Sequence, residues 1–360
     1  MSAAPSQTRV SSPAGSNPRV LVVDDSAVVR GLVARWIDAD PRLTLAATCP
    51  DGEQAVRRAA ELQPDLVVLD VEMPRMDGLT ALPLILKAAP RARVVMASTL
   101  TRQGAEVTVK ALSLGAADYA AKPEAGHLGG AEAYRAELLQ KLVTLCPRLT
   151  PPPRVTVPMP RPAARASTAR PSIIAIGAST GGPQALREVV SALPADTRVP
   201  VLITQHMPPL FTAILAEHLS KLGLPAAEAV DGEAIKPGRI YLAPGGFHMT
   251  VRTGKDGLQA ALNEDPPVNY CRPAVDPLFM SLAATGARDV LAVVLTGMGS
   301  DGREGVRRLR TTGAQVIVQD QASSVVWGMP GAVAEAGLAD MILPLSDIGP
   351  EIARRLKGLS

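Results

Sequence analysis

The stretch Ser172-Ile-Ile-Ala-Ile-Gly-Ala-Ser-Thr-Gly-Gly-Pro183 decides the fold of the second half of this chain. It begins with a short run of apolar, mostly β-branched residues, which is typical of a buried strand. The glycines that follow favour a sharp turn, and Pro183 suits the first turn of a helix over residues 184–190. The pattern therefore predicts a strand, a tight turn and a helix, with Ser179 at the turn as in the G-x-S-x-G arrangement of a serine nucleophile.

A glycine-rich turn before a helix can also bind a phosphate group. However, the spacing of Gly177, Gly181 and Gly182 does not give G-x-G-x-x-G, and no G-K-[ST] follows. The next apolar strand, residues 200–205, ends in His206 and not in an acid that would hold a ribose. We therefore favour a nucleophile over a dinucleotide site, and a serine in an ordinary turn is the remaining alternative.

Composition limits the classes of protein that this chain can represent. Its 360 residues are enough for about two domains. Hydrophobic residues make up 47% but aromatic residues only 2%, so aliphatic side chains must fill the cores and few are left to stack on single-stranded nucleic acid. The net charge of +3 is too small to indicate a nucleic-acid or membrane partner. We expect no nucleic-acid binding and no direct membrane insertion.

The cysteines and the N-terminus indicate a cytoplasmic location. Cys49, Cys146 and Cys271 are far apart in the sequence and form no C-x-x-C pair, so neither a disulfide framework nor a zinc site is indicated. Residues 1–17 lack the apolar core of a signal peptide. No apolar run approaches the roughly 20 residues of a membrane span.

Strands and helices alternate along the first half. Ser26 is a suitable cap for the first helix, and Pro83 is expected to be tolerated only near the start of the third. This alternation predicts a doubly wound parallel sheet. The predicted strands are residues 19–23, 43–48, 65–69, 93–97 and 118–121, and the helices 28–39, 52–61, 79–88 and 106–114.

Polar residues follow these strands at the point where ligands gather in parallel sheets. They are Asp24, Asp25, Asp70, Ser98 and Lys122. Three neighbouring carboxylates would repel one another without a cation, and Mg²⁺ prefers such oxygen ligands. Asp70 ends the apparently central strand, so we expect it to accept a phosphoryl group, with Lys122 and Ser98 binding phosphoryl oxygens. The alternative is that these residues are solvated or cap helices.

This half resembles a response-regulator receiver domain between about residues 19 and 145. The resemblance rests on the Asp24-Asp25 pair, on Asp70 with the Met-Pro-x-Met-Asp-Gly that follows it, and on Lys122-Pro123. It implies a flavodoxin-like fold.

By that resemblance, a histidine kinase donates a phosphoryl group to Asp70 and the reaction needs Mg²⁺. Ser98 and Tyr119 form the switch pair, and Lys122 contacts the phosphoryl group. The groups around Mg²⁺ would be those of Asp24, Asp25, Asp70 and the carbonyl of Glu72.

A proline-rich segment separates the two halves. Prolines favour extended polyproline geometry, so residues 147–171 are expected to act as a semi-rigid linker. The expected organisation is a disordered tail over 1–17, a receiver domain over 18–146, the linker, and a catalytic domain over 172–360.

Four histidines are available to serve Ser179 as a base. His127 lies in a glycine-rich loop of the first half, and His218 lies on a predicted helix. His248 follows a predicted hairpin and could line the cleft. His206 ends an apolar strand and so shares a sheet edge with Ser179, which makes it the preferred base.

A carboxylate is needed to orient the imidazole. Asp301, in Thr296-Gly-Met-Gly-Ser-Asp-Gly302, follows a buried strand and is the preferred residue, with Asp320 as its rival. Asp265 and Asp276 are less favoured because each neighbours proline in an apparently irregular stretch. The order Ser, His, Asp differs from that of α/β-hydrolases, so we expect a different fold with the same roles.

Backbone amides near Ser179 are expected to stabilise an oxyanion. The turn offers Thr180 and Gly181, and the glycine-rich loop around Met298 offers others. The sequence leaves this choice open.

Five motifs together resemble the chemotaxis methylesterase/glutaminase family. They are Gly177-Ala-Ser-Thr-Gly-Gly-Pro183, Gln205-His-Met-Pro208, Leu242-Ala-Pro-Gly245, Thr296-Gly-Met-Gly-x-Asp-Gly302 and Gly328-Met-Pro330. The resemblance implies a Rossmann-like parallel α/β domain that hydrolyses glutamate γ-methyl esters on the cytoplasmic helices of chemoreceptors, releasing methanol. It also implies glutamine deamidation in some members.

The same resemblance assigns Ser179, His206 and Asp301 as the catalytic triad. We expect a monomer whose esterase reaction uses no cofactor. A first hypothesis is that the unphosphorylated receiver covers the cleft until Asp70 is phosphorylated. A DNA-binding regulator is disfavoured because no helix-turn-helix is recognisable, and an inactive scaffold because all three triad positions are filled.

Overall fold

The computed structural model describes residues 17–99, 101–122, 130–146, 170–255 and 257–358. The predicted tail, apart from residue 17, and the predicted linker, apart from residues 170 and 171, lie outside these ranges. His127 also lies outside them.

Within the described residues, the first half forms one parallel sheet with strand order β2-β1-β3-β4-β5. The predicted doubly wound sheet is therefore confirmed, and Asp70 does end its central strand. The elements are β1 (Arg19–Val23), α1 (Ala27–Asp38), β2 (Thr44–Cys49), α2 (Gly52–Leu62), β3 (Leu66–Asp70), α3 (Gly78–Ala88), β4 (Arg93–Thr99), α4 (Arg102–Ser113), β5 (Asp118–Lys122) and α5 (Gly130–Leu145).

Alternation of side chains along the strands explains why helices cover both faces of this sheet. In β1, Leu21 and Val23 belong to one hydrophobic cluster, whereas Val20 and Val22 belong to another on the opposite face. A strand that is apolar on both faces is stable only when both are covered. Ser26 caps α1 as expected, since its side chain accepts a hydrogen bond from the amide of Val29.

Pro83 does not lie at the start of its helix, as the sequence had led us to expect. It lies well inside α3 on the exposed face of the helix. There the carbonyl that loses its hydrogen-bond partner can bond water instead, so the helix tolerates the proline.

In the second half, the described residues form a seven-stranded parallel sheet with order β14-β13-β12-β6-β7-β9-β8. The strands β10 and β11 form a separate antiparallel hairpin. The elements are β6 (Ile173–Ala178), α6 (Gly182–Ser191), β7 (Val201–Gln205), α7 (Phe211–Ser220), β8 (Ala226–Glu228), β9 (Ile240–Leu242), β10 (His248–Gly254), β11 (Gly257–Asn263), α8 (Val275–Ala284), β12 (Val290–Val294), α9 (Arg303–Arg310), β13 (Gln315–Gln319), α10 (Met329–Glu335), β14 (Met341–Leu343) and α11 (Leu345–Leu356).

The turn after β6 requires its glycines. Gly181 has a φ of +77°, which L side chains rarely adopt. A Cβ on Gly177 would lie 2.5 Å from a methyl carbon of Val275, which is too close for any side chain. The predicted strand, turn and helix are all present, and the glycines fix the position of Ser179 between them.

None of the helices that the structure describes combines the length and the apolar character needed to cross a bilayer.

Candidate active site

Three neighbouring strands place the three predicted catalytic residues at one edge of the sheet. The strand β6 pairs with β7 on one side and with β12 on the other. Ser179 follows β6, His206 follows β7, and Asp301 lies between β12 and α9. The carboxyl ends of parallel strands meet at one edge, and all three residues line one cavity of about 940 Å³ there.

His206 and Asp301 form a close, buried pair. The distance from His206 Nε2 to Asp301 Oδ2 is 2.7 Å, and the two side chains are 9% and 1% exposed. Asp301 also accepts hydrogen bonds from the amides of Val275 and Asp276 at the start of α8. Burial alone would raise the pKa of Asp301, but His206 and these amides hold it below its usual value. The carboxylate is therefore ionised and fixed toward the imidazole.

The contact with Asp301 also raises the pKa of His206. Burial opposes the charged imidazole, but the contacts with Asp301 and with the thiol of Cys271 outweigh burial and raise the pKa of His206 to about 10. Because a base must be neutral to accept a proton, we expect esterase activity to increase with pH from the neutral into the alkaline range.

This pKa shift also predicts a pH-dependent stability. The pKa of His206 is higher in the folded chain than its ordinary value of 6.5, so the stabilisation is fully present below about pH 6.5 and is lost as the pH rises through about 10. We expect the free energy of unfolding of the wild type, relative to His206→Gln, to decrease by a few kcal/mol across that range. Urea denaturation at several pH values measures it, and a difference that does not change with pH would contradict the ion pair.

Backbone contacts hold the nucleophile turn against its neighbours. The amide of Ser179 donates to Thr296 O at 3.0 Å, and Ser179 O accepts from Gln205 Nε2 at 2.9 Å. A Cβ on Gly297 would lie 2.7 Å from Ser179 Cβ, so the loop after β12 approaches the serine closely. Among the described residues, Ser179 Oγ makes no hydrogen bond and is free to meet a substrate.

Three of the amides expected to stabilise an oxyanion have no competing partner. Those of Thr180, Gly181 and Met298 donate to no acceptor in the part of the chain that the structure describes. The amide of Gly297, in contrast, donates to Val326 O. The amides of Thr180, Gly181 and Met298 are therefore free to donate to an oxyanion, whereas the amide of Gly297 is already used.

Two residues weighed during sequence analysis have structural roles. Asp320 accepts hydrogen bonds from the amide and hydroxyl of Ser323, so it braces its own loop. His248 does not line the cleft: it is 1% exposed and joins the backbone of Ala274 and Pro266.

Sequence reasoning missed two groups beside His206 and Asp301. Asn269 Nδ2 donates to Asp301 Oδ1 at 3.2 Å, and Cys271 contacts the imidazole of His206. Asn269 has a φ of +51° and the following Tyr270 has +64°, both rare for residues with side chains. Such a loop leaves no pattern in the sequence that could have indicated it.

The phosphorylation site predicted in the first half also assembles. Carboxylate oxygens of Asp24, Asp25 and Asp70 lie within 4.8 Å of one another. Lys122 Nζ lies 2.8 Å from Asp24 Oδ2 and 2.7 Å from Asp70 Oδ1. Burial raises the pKa of Asp70 to about 6, although Lys122 opposes this. Clustered carboxylate oxygens fit Mg²⁺, and the exposed Glu72 lies in the turn just beyond.

The fit to Mg²⁺ gives a direct test. Mg²⁺ at about ten times its dissociation constant should raise the melting temperature by roughly 3 °C, because it binds only the folded chain. Asp24→Asn should abolish this shift, whereas Asp38→Asn, which changes an exposed acid at the end of α1, should retain it. Equal shifts in both variants would show that Mg²⁺ binds elsewhere.

Of the two predicted switch residues, Ser98 contacts its own half of the chain and Tyr119 contacts the second half. Ser98 Oγ donates to Gly104 O at 3.1 Å. The ring of Tyr119 is buried and stacks on that of Phe211 in α7, with centroids 4.8 Å apart. Tyr119 therefore already contacts the second half of the chain.

The first half of the chain also contacts the turn that carries Ser179. Thr180 Oγ1 donates to Asp118 Oδ2 at 2.7 Å, and both residues are buried. Lys141 Nζ lies 3.4 Å from the other oxygen of Asp118 and 4.7 Å from the centre of the Tyr119 ring. The cavity that holds Ser179 is consequently lined on one side by receiver residues, namely Leu112, Asp118, Tyr119, Glu137, Gln140 and Lys141.

Comparisons with known proteins identify the family of each half of the chain. The model of the CheB methylesterase family matches residues 174–352, and that of the response regulator receiver domain matches residues 20–128. A protein-glutamate methylesterase/protein-glutamine glutaminase of Maricaulis maris is 56% identical, over 96% of this chain and 98% of its own. A protein of Caulobacter vibrioides with the same name and the suffix 2 is 52% identical, over 95% of this chain and 100% of its own.

A solved structure supports the fold of the second half. The CheB methylesterase catalytic domain of Thermotoga maritima is 39% identical, with a TM-score of 0.50, and the match covers 51% of this chain and 98% of that one. With its receiver fold, its sheet-edge site and relatives that match along almost its whole length, this chain belongs to the CheB methylesterase family, with a response regulator receiver domain preceding the methylesterase domain.

Proposed function

We propose that this protein is a phosphorylation-activated serine esterase that hydrolyses glutamate γ-methyl esters on the cytoplasmic helices of chemoreceptors. It also deamidates glutamine side chains, since both activities are in the names of relatives at 56% and 52% identity. The observation that carries the proposal is the buried pair of His206 and Asp301 in the same cavity as Ser179.

In this proposal the three residues act as a triad. Ser179 Oγ attacks the ester carbonyl carbon while His206 accepts its proton, and His206 then returns the proton to the departing methanol. Water hydrolyses the resulting acyl-enzyme by the same steps in reverse order. Asp301 keeps the imidazole oriented and stabilises its charged form. With a glutamine substrate the leaving group is ammonia.

Backbone amides stabilise the negative charge that develops on the carbonyl oxygen. The candidates are Thr180, Gly181 and Met298, because their amides have no acceptor among the described residues. Removal of one such donor typically raises the barrier by about 2.7–4 kcal/mol.

The receiver regulates access to this site. Asp118 contacts Thr180, and Tyr119 contacts Phe211, beside the cavity. We infer that the unphosphorylated chain keeps these contacts and that they exclude a receptor helix. Phosphorylation of Asp70 by a histidine kinase replaces a carboxylate, which carries one negative charge, with an acyl phosphate that carries roughly −1.5 to −2. We infer that Ser98 and Tyr119 then rearrange, which separates Tyr119 from Phe211 and opens the cleft.

Mg²⁺ would be held by the carboxylates of Asp24, Asp25 and Asp70 with the carbonyl of Glu72, and it would neutralise charge as the phosphoryl group approaches. Lys122, already close to Asp24 and Asp70, contacts a phosphoryl oxygen. The esterase reaction itself is proposed to use only protein groups.

The proposed division of the chain places the receiver over residues 18–146 and the catalytic domain over residues 172–360, with the proline-rich linker 147–171 between them. The protein acts as a monomer in the cytoplasm, where both chemoreceptor helices and kinase are accessible.

Methanol release from methylated receptors tests the proposal. The wild type should release methanol, and acetyl phosphate should increase the rate. Asp70→Asn should keep only the resting rate, and Ser179→Ala should release none above background. No methanol release by the phosphorylated wild type would refute the proposed function.

A further inference from the structure

A second buried carboxylate lies directly beside Asp301 and has no role in the mechanism described above. Asp276 is 5% exposed and Asp301 is 1% exposed. Two adjacent buried carboxylates repel each other, and each loses hydration, so such an arrangement persists only where other groups compensate.

The compensation comes from the N-termini of two helices. Each of the two carboxylates accepts hydrogen bonds from backbone amides at the start of the other helix. Asp301, which precedes α9, accepts the amides of Val275 and Asp276 in the first turn of α8, at 2.6 and 3.0 Å. Asp276, in that first turn, accepts the amide of Gly305 in the first turn of α9 at 2.7 Å. Each carboxylate therefore lies at the positive end of the other residue's helix. These hydrogen bonds connect the two helices and the two acids, and Asp301 in turn contacts His206.

Asn269 joins the two acids. Its side-chain nitrogen lies 3.2 Å from Asp301 Oδ1 and 3.4 Å from Asp276 Oδ2. Its φ of +51° carries a conformational cost, and backbone strain of this kind persists where the surroundings hold it in place. The loop that carries Asn269 thus maintains contact between the carboxylate pair and the cavity.

We propose that Asp276 is a positioning residue for ester hydrolysis: its negative charge, acting beside Asp301, sets the pH at which His206 becomes able to accept the proton of Ser179. This inference rests on the proposed esterase function. Among the described residues, the ionisable side chains that affect Asp276 or His206 most strongly are Asp301 and Cys271.

The sign of the effect follows from the charges. Burial and the neighbouring Asp301 raise the pKa of Asp276 to about 6, so Asp276 is ionised in the neutral range. A second negative charge behind Asp301 stabilises the protonated imidazole and raises the pH at which His206 loses its proton. Removal of that charge should therefore let His206 act as a base at lower pH.

Asp276→Asn removes the charge with little change in shape. We expect the acidic limb of the pH profile of kcat/KM for methanol release to move to lower pH by about one unit, a size consistent with one charge acting over several ångströms of protein. The matched control is Asp320→Asn, which removes a carboxylate that braces its own loop. Its acidic limb should not move.

Asp276→Ser is a second uncharged variant, and its smaller side chain separates the loss of charge from any defect that is particular to the asparagine amide. It should show the same shift. A direct measurement is the NMR titration of the His206 imidazole in the full-length Ser179→Ala chain, with and without Asp276→Asn, where the pKa should decrease by about one unit.

An unchanged acidic limb together with an unchanged His206 titration would overturn the inference, as would activity lost only in proportion to unfolded protein. Failure of the proposed function is distinguishable from this, since the phosphorylated wild type would then release no methanol, whereas the NMR titration would still report the coupling between Asp276 and His206.

Discussion

Ser179→Ala should lower the rate of methanol release from methylated receptors by about 10⁴-fold or more. Alanine leaves no atom that can attack the ester, so the residual rate comes only from binding and from the oxyanion donors. The side chain is partly exposed, and its hydroxyl makes no hydrogen bond within the described structure, so the folded state should change in stability by less than about 1 kcal/mol.

The measurement is steady-state methanol release with acetyl phosphate present, together with thermal unfolding. Ser191→Ala, at the end of the helix that follows the nucleophile turn, is the matched control and should keep the wild-type rate. If Ser179→Ala retained more than about a tenth of the activity while folded, another group would have to be the nucleophile.

Asp118→Ala should raise the resting activity of the unphosphorylated chain by about 10-fold or more. It removes the buried hydrogen bond from Thr180, and a hydrogen bond to a charged group typically contributes about 1.5–3 kcal/mol. Each 1.4 kcal/mol changes a closed-to-open ratio about tenfold. Because the cleft is already open more often, acetyl phosphate should stimulate this variant less than the wild type.

Glu132→Gln is the control for this variant. It also removes a receiver carboxylate, but Glu132 is exposed, and its ion-pair partner among the described residues is Arg135 on the same helix. A resting rate in Asp118→Ala equal to that of the wild type, with normal stimulation, would show that the contact between Asp118 and Thr180 does not hold the cleft closed.

The common location of Ser179, His206 and Asp301 followed from the sequence because each residue directly follows a strand or lies in the loop after one. Apolar runs ending at Ala178, Gln205 and Val294 identify strands, and parallel strands place their ends at one edge. The sequence pattern did not predict that β6 lies between β7 and β12, because strand order depends on contacts between distant segments.

The groups behind His206 were not predictable in the same way. Asp276 was set aside because it neighbours proline in an apparently irregular stretch, yet it lies in the first turn of α8 beside Asp301. Asn269 and Cys271 reach the site through a loop with positive φ values, which the hairpin β10–β11 precedes. Each contact is non-local, and none produces periodicity in the sequence.

The contact between receiver and catalytic domain was beyond sequence reasoning for a related reason. The receiver motifs indicated which residues surround Asp70, but no pattern indicates which face of a domain meets another domain. That Asp118 meets Thr180, and Tyr119 meets Phe211, follows only from the packing of side chains on both sides.

The most direct test of the account is covalent labelling of the full-length protein with a fluorophosphonate, followed by peptide mass spectrometry. We predict a single labelled residue, Ser179, with labelling faster after treatment with acetyl phosphate and absent in His206→Gln. Label on another residue, or labelling of Ser179 that is unaffected both by acetyl phosphate and by the loss of His206, would contradict the account.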